Sequence, residues 1–471
     1  MDSKKSLRNI LLLIPAFVLF VLACFQPLAG SHYFRQVQTA QTAAIYSAED
    51  SINPLLPKVG FFGKPGYTVL EFPLYQMEAT FLNKTLGIDI TTSCRILSFL
   101  SAILVAFFLL EIYKLVFKSK LSLDLAALVL LSPLFLSLSH WASIEMTNLL
   151  FSVGAVYFLC RHIYDGNKIH DFFWFLIFTL LSLLLKPHGI FAIGFFILYL
   201  FFKNSKSKGF KYLLTSLVVL PAVYAWYSYG SKINTLYKNP FAFNASNTQY
   251  FQWNFSLDAI LKLVARTFIY LIGPGTLLFL SAALIQNRKK FSGIVKAHKK
   301  ILGIFLFSFF IYLLVFFRLN SAHNYYQLAL VPLFFLGLSY LLQNLVVVNK
   351  KPLLVVALII NSLSSWYFLD RTDNDLYQMA LHIKENITEG YEKKDIFYLT
   401  DTNNHAPFFS FYLKRYLDYL RTETKPANTE SLITCEDYNS EKCMNYRKLY
   451  ESSCSKTGTF LEKRWYCYLE K

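Results

Sequence analysis

The chain alternates long apolar runs with short polar breaks over most of its length. The apolar runs lie near residues 10–28, 95–117, 122–139, 146–160, 171–185, 189–202, 211–228, 267–285, 301–317, 324–347 and 353–369. Most of them approach the roughly 20 residues that a helix needs to cross a bilayer. The pattern therefore predicts an all-α polytopic membrane protein with about 11 transmembrane helices, the shorter ones completed by flanking residues.

Composition agrees with this pattern. Of the 471 residues, 55% are hydrophobic and 16% are charged, whereas soluble proteins average about 25% charged residues. The net charge of +17 would favour nucleic-acid binding in a soluble protein. Here most basic residues lie in short loops between apolar runs, where they set topology and face anionic lipid. We therefore expect membrane lipid, and no nucleic acid, as a partner.

The distribution of basic residues predicts the orientation. Lys4, Lys5 and Arg8 precede the first apolar run, which is long enough to span and lacks a clear cleavage site, so we expect a retained helix with a cytoplasmic N-terminus. An odd number of spans then places the C-terminus outside. The bias toward Phe, Leu, Lys, Asn and Tyr is typical of an AT-rich genome and favours a bacterial inner membrane.

Residues 370–471 differ in character from the rest. They are charged and alternate helix-like pieces (376–389, 408–420) with a strand-like piece (395–399), which predicts a small extracytoplasmic α/β domain after a transmembrane domain at 1–369. Four cysteines lie in this tail, namely Cys435, Cys443, Cys454 and Cys467. Outside the cytoplasm they favour two disulfides in any of three pairings. A zinc site is the alternative, although the spacing lacks C-x2-C pairs.

The longest polar interruption before the tail covers residues 29–93. It concentrates ionisable and amide side chains in a chain that otherwise avoids them, among them His32, Arg35, Gln38, Lys64 and Glu71. Polar residues at membrane depth or in a loop held by an apolar scaffold commonly mark a functional site. We expect most of the active site in this loop.

Three shorter polar clusters fall on the same predicted outer face. They are residues 139–145, which end in Glu145; residues 186–188, with Lys186 and His188; and residues 318–326, with Arg318, His323, Tyr325 and Tyr326. The predicted inner loops carry mostly Lys and Arg. Such asymmetry favours an enzyme open to one side over a channel.

These residue types suit transfer of a sugar from a polyprenyl phosphate. The leaving phosphate needs positive charge and hydrogen-bond donors but no proton. The residues that would supply them are Arg35, Lys64, Lys186, His188, Arg318 and His323. His32, Gln38, Tyr325 and Tyr326 would shape the sugar pocket. The acceptor hydroxyl needs one carboxylate as general base.

Glu71 is the first choice for that base and Glu145 the second. Glu71 lies just ahead of Pro73, a residue suited to the first position of a helix. Alternatives stay open: Glu71 serving only the helix N-terminus, Glu145 capping its span, and Arg318 reaching lipid head groups. Glu49 and Asp50 form a further carboxylate pair in the loop.

The ordered motifs resemble those of the GT-C superfamily of membrane glycosyltransferases, in its bacterial branch related to protein mannosyltransferases and lipid A aminoarabinose transferases. One subgroup carries H-x-W-R-Q-x-x-T-A after the first span, and residues 32–40 read HYFRQVQTA. E-F-P-L-Y follows at 71–75, an Arg opens the second span at Arg95, and H-x-Y-Y-x-L-x-L-V-P matches residues 323–332.

The resemblance implies a polyprenyl-phosphate-linked sugar donor, inverting transfer on the outer face, a catalytic carboxylate in the first outer loop and two amphipathic surface helices there. The acceptor would be a lipid, glycan or protein, in a cell-envelope or lipopolysaccharide pathway, and a divalent metal is possible. Many relatives carry an Asp early in the loop, where this chain has Arg35 and Gln36. A flippase, transporter or ligase of lipid-linked glycans is the alternative function.

Overall fold

Helices make up most of the molecule. The structure is a computed structural model that describes residues 14–28, 32–60, 65–166, 168–203, 212–237, 255–345, 350–370, 374–385, 396–400, 406–414, 417–418, 431–435, 441–450, 452, 454–460 and 464–469. The helices are α1 Ile14–Cys24, α2 Tyr33–Ala48, α3 Leu74–Leu86, α4 Ile90–Phe117, α5 Leu123–Leu130, α6 Pro133–Leu138, α7 Glu145–Tyr164, α8 Ile169–Leu185, α9 Ile190–Lys203, α10 Leu220–Leu236, α11 Leu257–Ala265, α12 Pro274–Gln286, α13 Arg288–Val315, α14 Phe317–Ala322, α15 Val331–Gln343, α16 Lys350–Phe368, α17 Asn374–Lys384, α18 Ala406–Tyr412 and α19 Glu441–Tyr450. Short turns of 3-10 helix cover Pro187–Gly189, Leu217–Val219 and Asn324–Leu330, and a π-helical segment covers Arg266–Ile272.

Several helices are long and apolar enough to cross a bilayer. In the described part of the chain five qualify: Ile90–Phe117, Glu145–Tyr164, Tyr212–Leu236, Asn324–Gln343 and Lys351–Phe368. A sixth is formed if Leu257–Ile272 and Pro274–Gln286 are one span, bent by 82°. Four shorter apolar helices are Ile14–Cys24, Ile169–Leu185, Pro187–Tyr199 and Leu302–Val315. The chain is thus an integral membrane protein, while the number of about 11 spans stays a prediction.

The bend between α11 and α12 has a local cause. Gly273 adopts a φ of +89°, a conformation that favours glycine, and Pro274 begins α12 without a backbone N–H to donate. The α12 helix packs very closely against α16 at Gly275. A Cβ on this residue would lie 1.9 Å from the carbonyl oxygen of Ala357. Small residues permit such close approach of helices in membranes.

The chain divides into two compact units. The first unit comprises Met1–Cys24, Arg95–Trp226 and Asn244–Asp370, and the second comprises Phe25–Cys94, Tyr227–Phe243 and Arg371–Lys471. The tail beyond Asp370 therefore belongs with the first polar loop. The predicted division at 369/370 into a membrane domain and a tail domain stays a prediction.

In the first unit, a buried carboxylate fixes the turn that precedes α7. Asp370 accepts hydrogen bonds from Ser137 Oγ (3.1 Å), Ser365 Oγ (2.9 Å) and Trp141 Nε1 (3.1 Å), and its Oδ1 lies 3.1 Å from His140 Nε2. All five side chains are buried. A buried carboxylate is stable only with such partners, so Asp370 anchors residues 137–141 and, through them, the start of α7.

In the second unit, the tail contains one five-stranded sheet. Its strands are β1 Ile396–Thr400, β2 Leu417–Asp418, β3 Ser431–Cys435, β4 Lys456–Phe460 and β5 Arg464–Leu469, in the order β2-β1-β3-β5-β4. The predicted strand at 395–399 is thus displaced by one residue. The helix predicted over 408–420 is wrong at its end, because Lys414 adopts a φ of +49° and residues 417–418 pair with β1 instead.

Two disulfides hold the sheet to its flanking segments. Cys435 at the end of β3 bonds to Cys443 on α19, and Cys454 bonds to Cys467 on β5. Of the three pairings left open by the sequence, this is the one that closes the shortest loops, with separations of 8 and 13 residues.

We expect four cysteines to resist alkylation until the protein is reduced. The remaining three, Cys24, Cys94 and Cys160, are free thiols. Protein denatured without reductant should take up three iodoacetamide adducts, and reduced protein seven, because the chain has seven cysteines in all. Intact mass measures the adducts, and peptide mapping of the unreduced protein measures the pairing. Seven adducts without reduction, or crossed pairs, would contradict the disulfides.

Candidate active site

In the first unit, Lys186 and Glu145 form a nearly buried ion pair. Helix α8 ends at Leu185 because Pro187 disfavours helical geometry at the residue before it. Lys186 is therefore extended, and its Nζ lies 2.7 Å from Glu145 Oε1, with side chains 12% and 3% exposed. Glu145 is the first residue of α7, where the helix dipole favours a carboxylate. The pair places a fixed cation at the ends of two apolar helices.

Aromatic rings cover that cation. The 3-10 turn after His323 brings the Tyr325 and Tyr326 rings to 5.0 and 5.1 Å from Lys186 Nζ. The His323 ring stacks on Tyr325 with centroids 5.3 Å apart, and the His188 ring meets Tyr326 edge-on at 5.5 Å. Together these side chains form what we call the lysine cluster, consisting of Glu145, Lys186, His188, His323, Tyr325 and Tyr326. Cation–π contacts and the ion pair hold Lys186 in one position.

The surroundings of His323 favour the neutral form of its imidazole. Burial lowers the pKa of His323 below its usual value of 6.5, the positive charges of Arg266 and Lys186 lower it further, and Glu145 opposes them. Arg266 was not predicted as a site residue from the sequence. Its guanidinium donates to the backbone carbonyls of Asn320 (3.1 Å) and Ser321.

The lowered pKa of His323 predicts a pH-dependent stability. Below pH 6.5 the unfolded chain gains a proton that the folded protein takes up only at lower pH, so stability falls as the pH drops through this window. We expect the decrease in Tm between pH 7.5 and pH 5.5, flanking the usual histidine pKa, to be smaller in His323→Gln than in the wild type. Thermal unfolding at the two pH values measures this, and equal decreases would show that His323 does not titrate here.

Arg318 lines a polar cavity of the first unit. The cavity has a volume of about 360 Å³ and is also lined by Ser256, Asp258 and Lys262. Lys262 Nζ is paired with Asp258 Oδ2 at 2.7 Å, so Arg318 supplies the net positive charge of this lining. The sequence predicts Arg318, Lys186 and His323 together as ligands of the lipid phosphate, and this grouping stays a prediction.

In the second unit, Arg35 and Glu71 meet across a narrow cleft. Their side chains, 14% and 12% exposed, form an ion pair, and Arg35 Nη1 also donates to Gln38 Oε1 at 3.2 Å. His32 precedes α2 with a φ of +53°, and its carbonyl accepts from the backbone N–H of Arg35. The sequence motif thus curls the chain so that Arg35 and Gln38 face Glu71.

A short β-ribbon forms the opposite wall of this cleft, which we call the arginine cleft. The ribbon consists of residues 57–60 and 65–68, joined by hydrogen bonds from Val59 N to Gly66 O (2.9 Å) and from Thr68 N to Pro57 O (2.8 Å). Pro57, Val59 and Thr68 face the cleft, which has a volume of about 20 Å³. That is room for about one water molecule.

Glu49, Asp50 and Glu78 of the second unit do not line the arginine cleft. Glu49 forms an ion pair with Lys58, and its carbonyl accepts from Lys84 Nζ at 2.6 Å, while Asp50 is exposed. Glu78 on α3 is partly buried, and this burial raises its pKa to about 7; the sequence reasoning did not single it out. Lys64, a predicted phosphate ligand, lies outside the described residues.

Helix α3 itself begins at Leu74, one residue after the predicted start at Pro73. Pro73 is the residue that precedes the helix, and the left-handed Gly87 ends it. Glu71 therefore lies directly before a helix whose first residue is fixed by Pro73. Among the described residues, no group of three or more His, Cys, Asp or Glu side chains is arranged to hold a metal ion.

Comparison with known proteins gives a partial family match. The family model described as dolichyl-phosphate-mannose-protein mannosyltransferase matches residues 79–229, about a third of the chain. A comparison with curated proteins finds no match.

Solved structures match over nearly the whole length. ArnT from Cupriavidus metallidurans in the apo state has a TM-score of 0.67 at 13% identity and covers 99% of this chain and 98% of its own. The same protein bound to undecaprenyl phosphate gives 0.67 at 14%, covering 98% and 97%. The apo Archaeoglobus fulgidus oligosaccharyltransferase gives 0.55 at 11%, covering 87% of this chain and 64% of its own. The chain therefore has the fold of the ArnT structures, and its residues 79–229 match the mannosyltransferase model.

Proposed function

We propose that this protein transfers a sugar from a polyprenyl-phosphate-linked donor to an acceptor hydroxyl on the outer face of a bacterial inner membrane, with inversion at the anomeric carbon. The observation that carries the proposal is the match of fold, over 98% of the chain, to ArnT, a protein solved with undecaprenyl phosphate bound. The donor sugar and the acceptor, a lipid, glycan or protein, are not specified by this likeness.

The lysine cluster suits the phosphate of the donor. When the sugar leaves, its former phosphate gains negative charge, which a fixed cation in a dry site stabilises without proton transfer. Lys186 is held in place by Glu145 and by two tyrosine rings. Arg266 adds a second positive charge that acts on His323. Arg318, at its own cavity, would add charge along the approach of the lipid.

Glu71 is the proposed general base. Its carboxylate takes the proton of the acceptor hydroxyl as that oxygen bonds to the anomeric carbon, while the bond from that carbon to the phosphate oxygen breaks and polyprenyl phosphate leaves. Attack opposite the leaving phosphate inverts the configuration. Arg35 and Gln38 fix the orientation of Glu71 through the ion pair and the hydrogen bond from Arg35 to Gln38. Glu145 is second choice because its carboxylate is nearly buried against Lys186.

Several further sequence-based predictions belong to this proposal. His32, Gln38, Tyr325 and Tyr326 would shape the sugar pocket, and Lys64 would help to hold the lipid phosphate. The N-terminus would be cytoplasmic, with residues 370–471 on the periplasmic or extracellular side. Two disulfides in that segment fit an oxidising compartment.

The test is transfer of radiolabelled sugar by purified protein from a panel of polyprenyl-phosphate monosaccharides. Transfer from at least one donor, with release of polyprenyl phosphate, supports the proposal. Binding of a lipid-linked oligosaccharide without transfer from any monosaccharide donor would replace it with the flippase or ligase.

A further inference from the structure

The buried side-chain amide of Gln41 links the tail to both walls of the arginine cleft. Gln41 lies on α2, the helix that carries Arg35 and Gln38. Its Nε2 donates to Ser410 Oγ of α18 at 2.5 Å, and its Oε1 accepts from the backbone N–H of Gly60 at 3.0 Å. Gln41 and Ser410 are fully buried. One side chain therefore joins α2, the ribbon and the tail.

The tail holds the ribbon by a second, backbone contact. The N–H of Leu417 donates to the carbonyl of Gly60 at 2.6 Å, so both backbone groups of Gly60 are engaged. A Cβ at this position would lie 2.3 Å from Ser410 Oγ and 2.7 Å from Gln41 Nε2. The three segments are packed so closely that any larger residue at position 60 would displace the Ser410 or Gln41 side chain.

Further contacts seat α18 on the start of the loop. The Tyr412 hydroxyl accepts from the backbone N–H of Leu28 at 2.7 Å, and the rings of Tyr33 and Phe408 meet edge-on at 5.8 Å. Phe408 and Phe409 are fully buried. The α18 helix thus packs along α2 from its first turn to Gln41.

From these contacts we infer that Gln41 and Ser410 are positioning residues, through which the tail sets the geometry of the arginine cleft. The inference rests on the proposed function, since the cleft carries the proposed base. The physical reason is the size of the cleft: with room for about one water molecule, a small outward shift of the ribbon changes the distance between Glu71 and a bound hydroxyl. Misplacement by about 1 Å costs a reaction up to about 100-fold in rate.

Ser410→Ala and Gln41→Met remove the bridge while keeping the apolar packing. We expect each to lower kcat about 10- to 100-fold with little change in the KM for the lipid donor. The double variant should lose no more than the worse single variant, because one bridge is removed in either case.

A matched control separates positioning from stability. Tyr398→Phe removes a buried hydrogen bond of the same tail, the 2.7 Å bond between Tyr398 and Thr434 Oγ1, whose two partners lie on the neighbouring strands β1 and β3. We expect Tyr398→Phe to lower the Tm by about as much as Ser410→Ala does and to leave kcat unchanged. If Tyr398→Phe and Ser410→Ala lose activity equally at equal loss of Tm, the tail acts by stability alone and the inference is overturned.

Hydrogen exchange gives a readout that does not depend on activity. Ser410→Ala should raise the exchange rate of the ribbon amides of Val59 and Thr68, and Tyr398→Phe should not. Unchanged ribbon exchange and unchanged kcat in Ser410→Ala would overturn the inference. A wild type that transfers no sugar would instead refute the proposed function, and selectively raised ribbon exchange would still support the structural link.

Discussion

Glu71→Gln is expected to lower kcat by a factor of about 10² to 10⁴, the usual contribution of a general base. Glutamine has the same shape and still accepts a hydrogen bond from Arg35, so the residues that line the cleft should keep their positions. It cannot take the proton of the acceptor hydroxyl. We therefore expect the Tm and the affinity for the lipid donor to stay close to those of the wild type, with the loss confined to the chemical step.

The control for this experiment is Glu78→Gln. Glu78 lies seven residues along the chain in the same unit and has a pKa near 7, a value suited to a base, but it does not line the arginine cleft. Radiolabelled transfer measured under saturating donor should be within about twofold of wild type in this variant, as for most substitutions away from a site. If Glu78→Gln loses sugar transfer and Glu71→Gln keeps it, Glu78 rather than Glu71 is the general base. If both variants keep transfer, the base is Glu145 or Asp50.

The sequence predicts the backbone elements of the site well because local chemistry fixes them. Pro73 places the start of α3 within one residue, and Pro187 places the end of α8 at Leu185. The motif at 32–40 contains the first turns of α2, which begins at Tyr33. These signals lie within a few residues of the elements they specify, so no knowledge of distant packing is required.

Contacts between distant segments were not predictable in the same way. The ion pair of Lys186 with Glu145 joins residues 41 apart, and the contact of Gln41 with Ser410 joins residues 369 apart. Arg266 and Asp370 gained importance only when their partners were known. A lone Arg near a span end has the same local pattern whether it faces lipid or a site, since the difference lies in tertiary contacts.

The second large effect concerns Lys186. Lys186→Met should raise the KM for the donor at least about tenfold, by loss of a contact with a charged phosphate. It should also lower the Tm, because removal of one partner leaves Glu145 charged and nearly buried, a change that typically costs about 3–5 kcal/mol of stability. The single variant thus mixes a binding effect with a folding effect.

A double variant separates the two. Lys186→Met with Glu145→Gln removes the buried charge together with its partner, so we expect the Tm to recover toward the wild-type value. The KM should stay raised, since no cation is restored near the phosphate. Lys186→Arg, which keeps a positive charge beside Tyr325 and Tyr326, should retain more donor affinity than Lys186→Met. If the double variant instead regains both Tm and KM, Lys186 serves only to neutralise Glu145, and the phosphate must be held by Arg266 or Arg318.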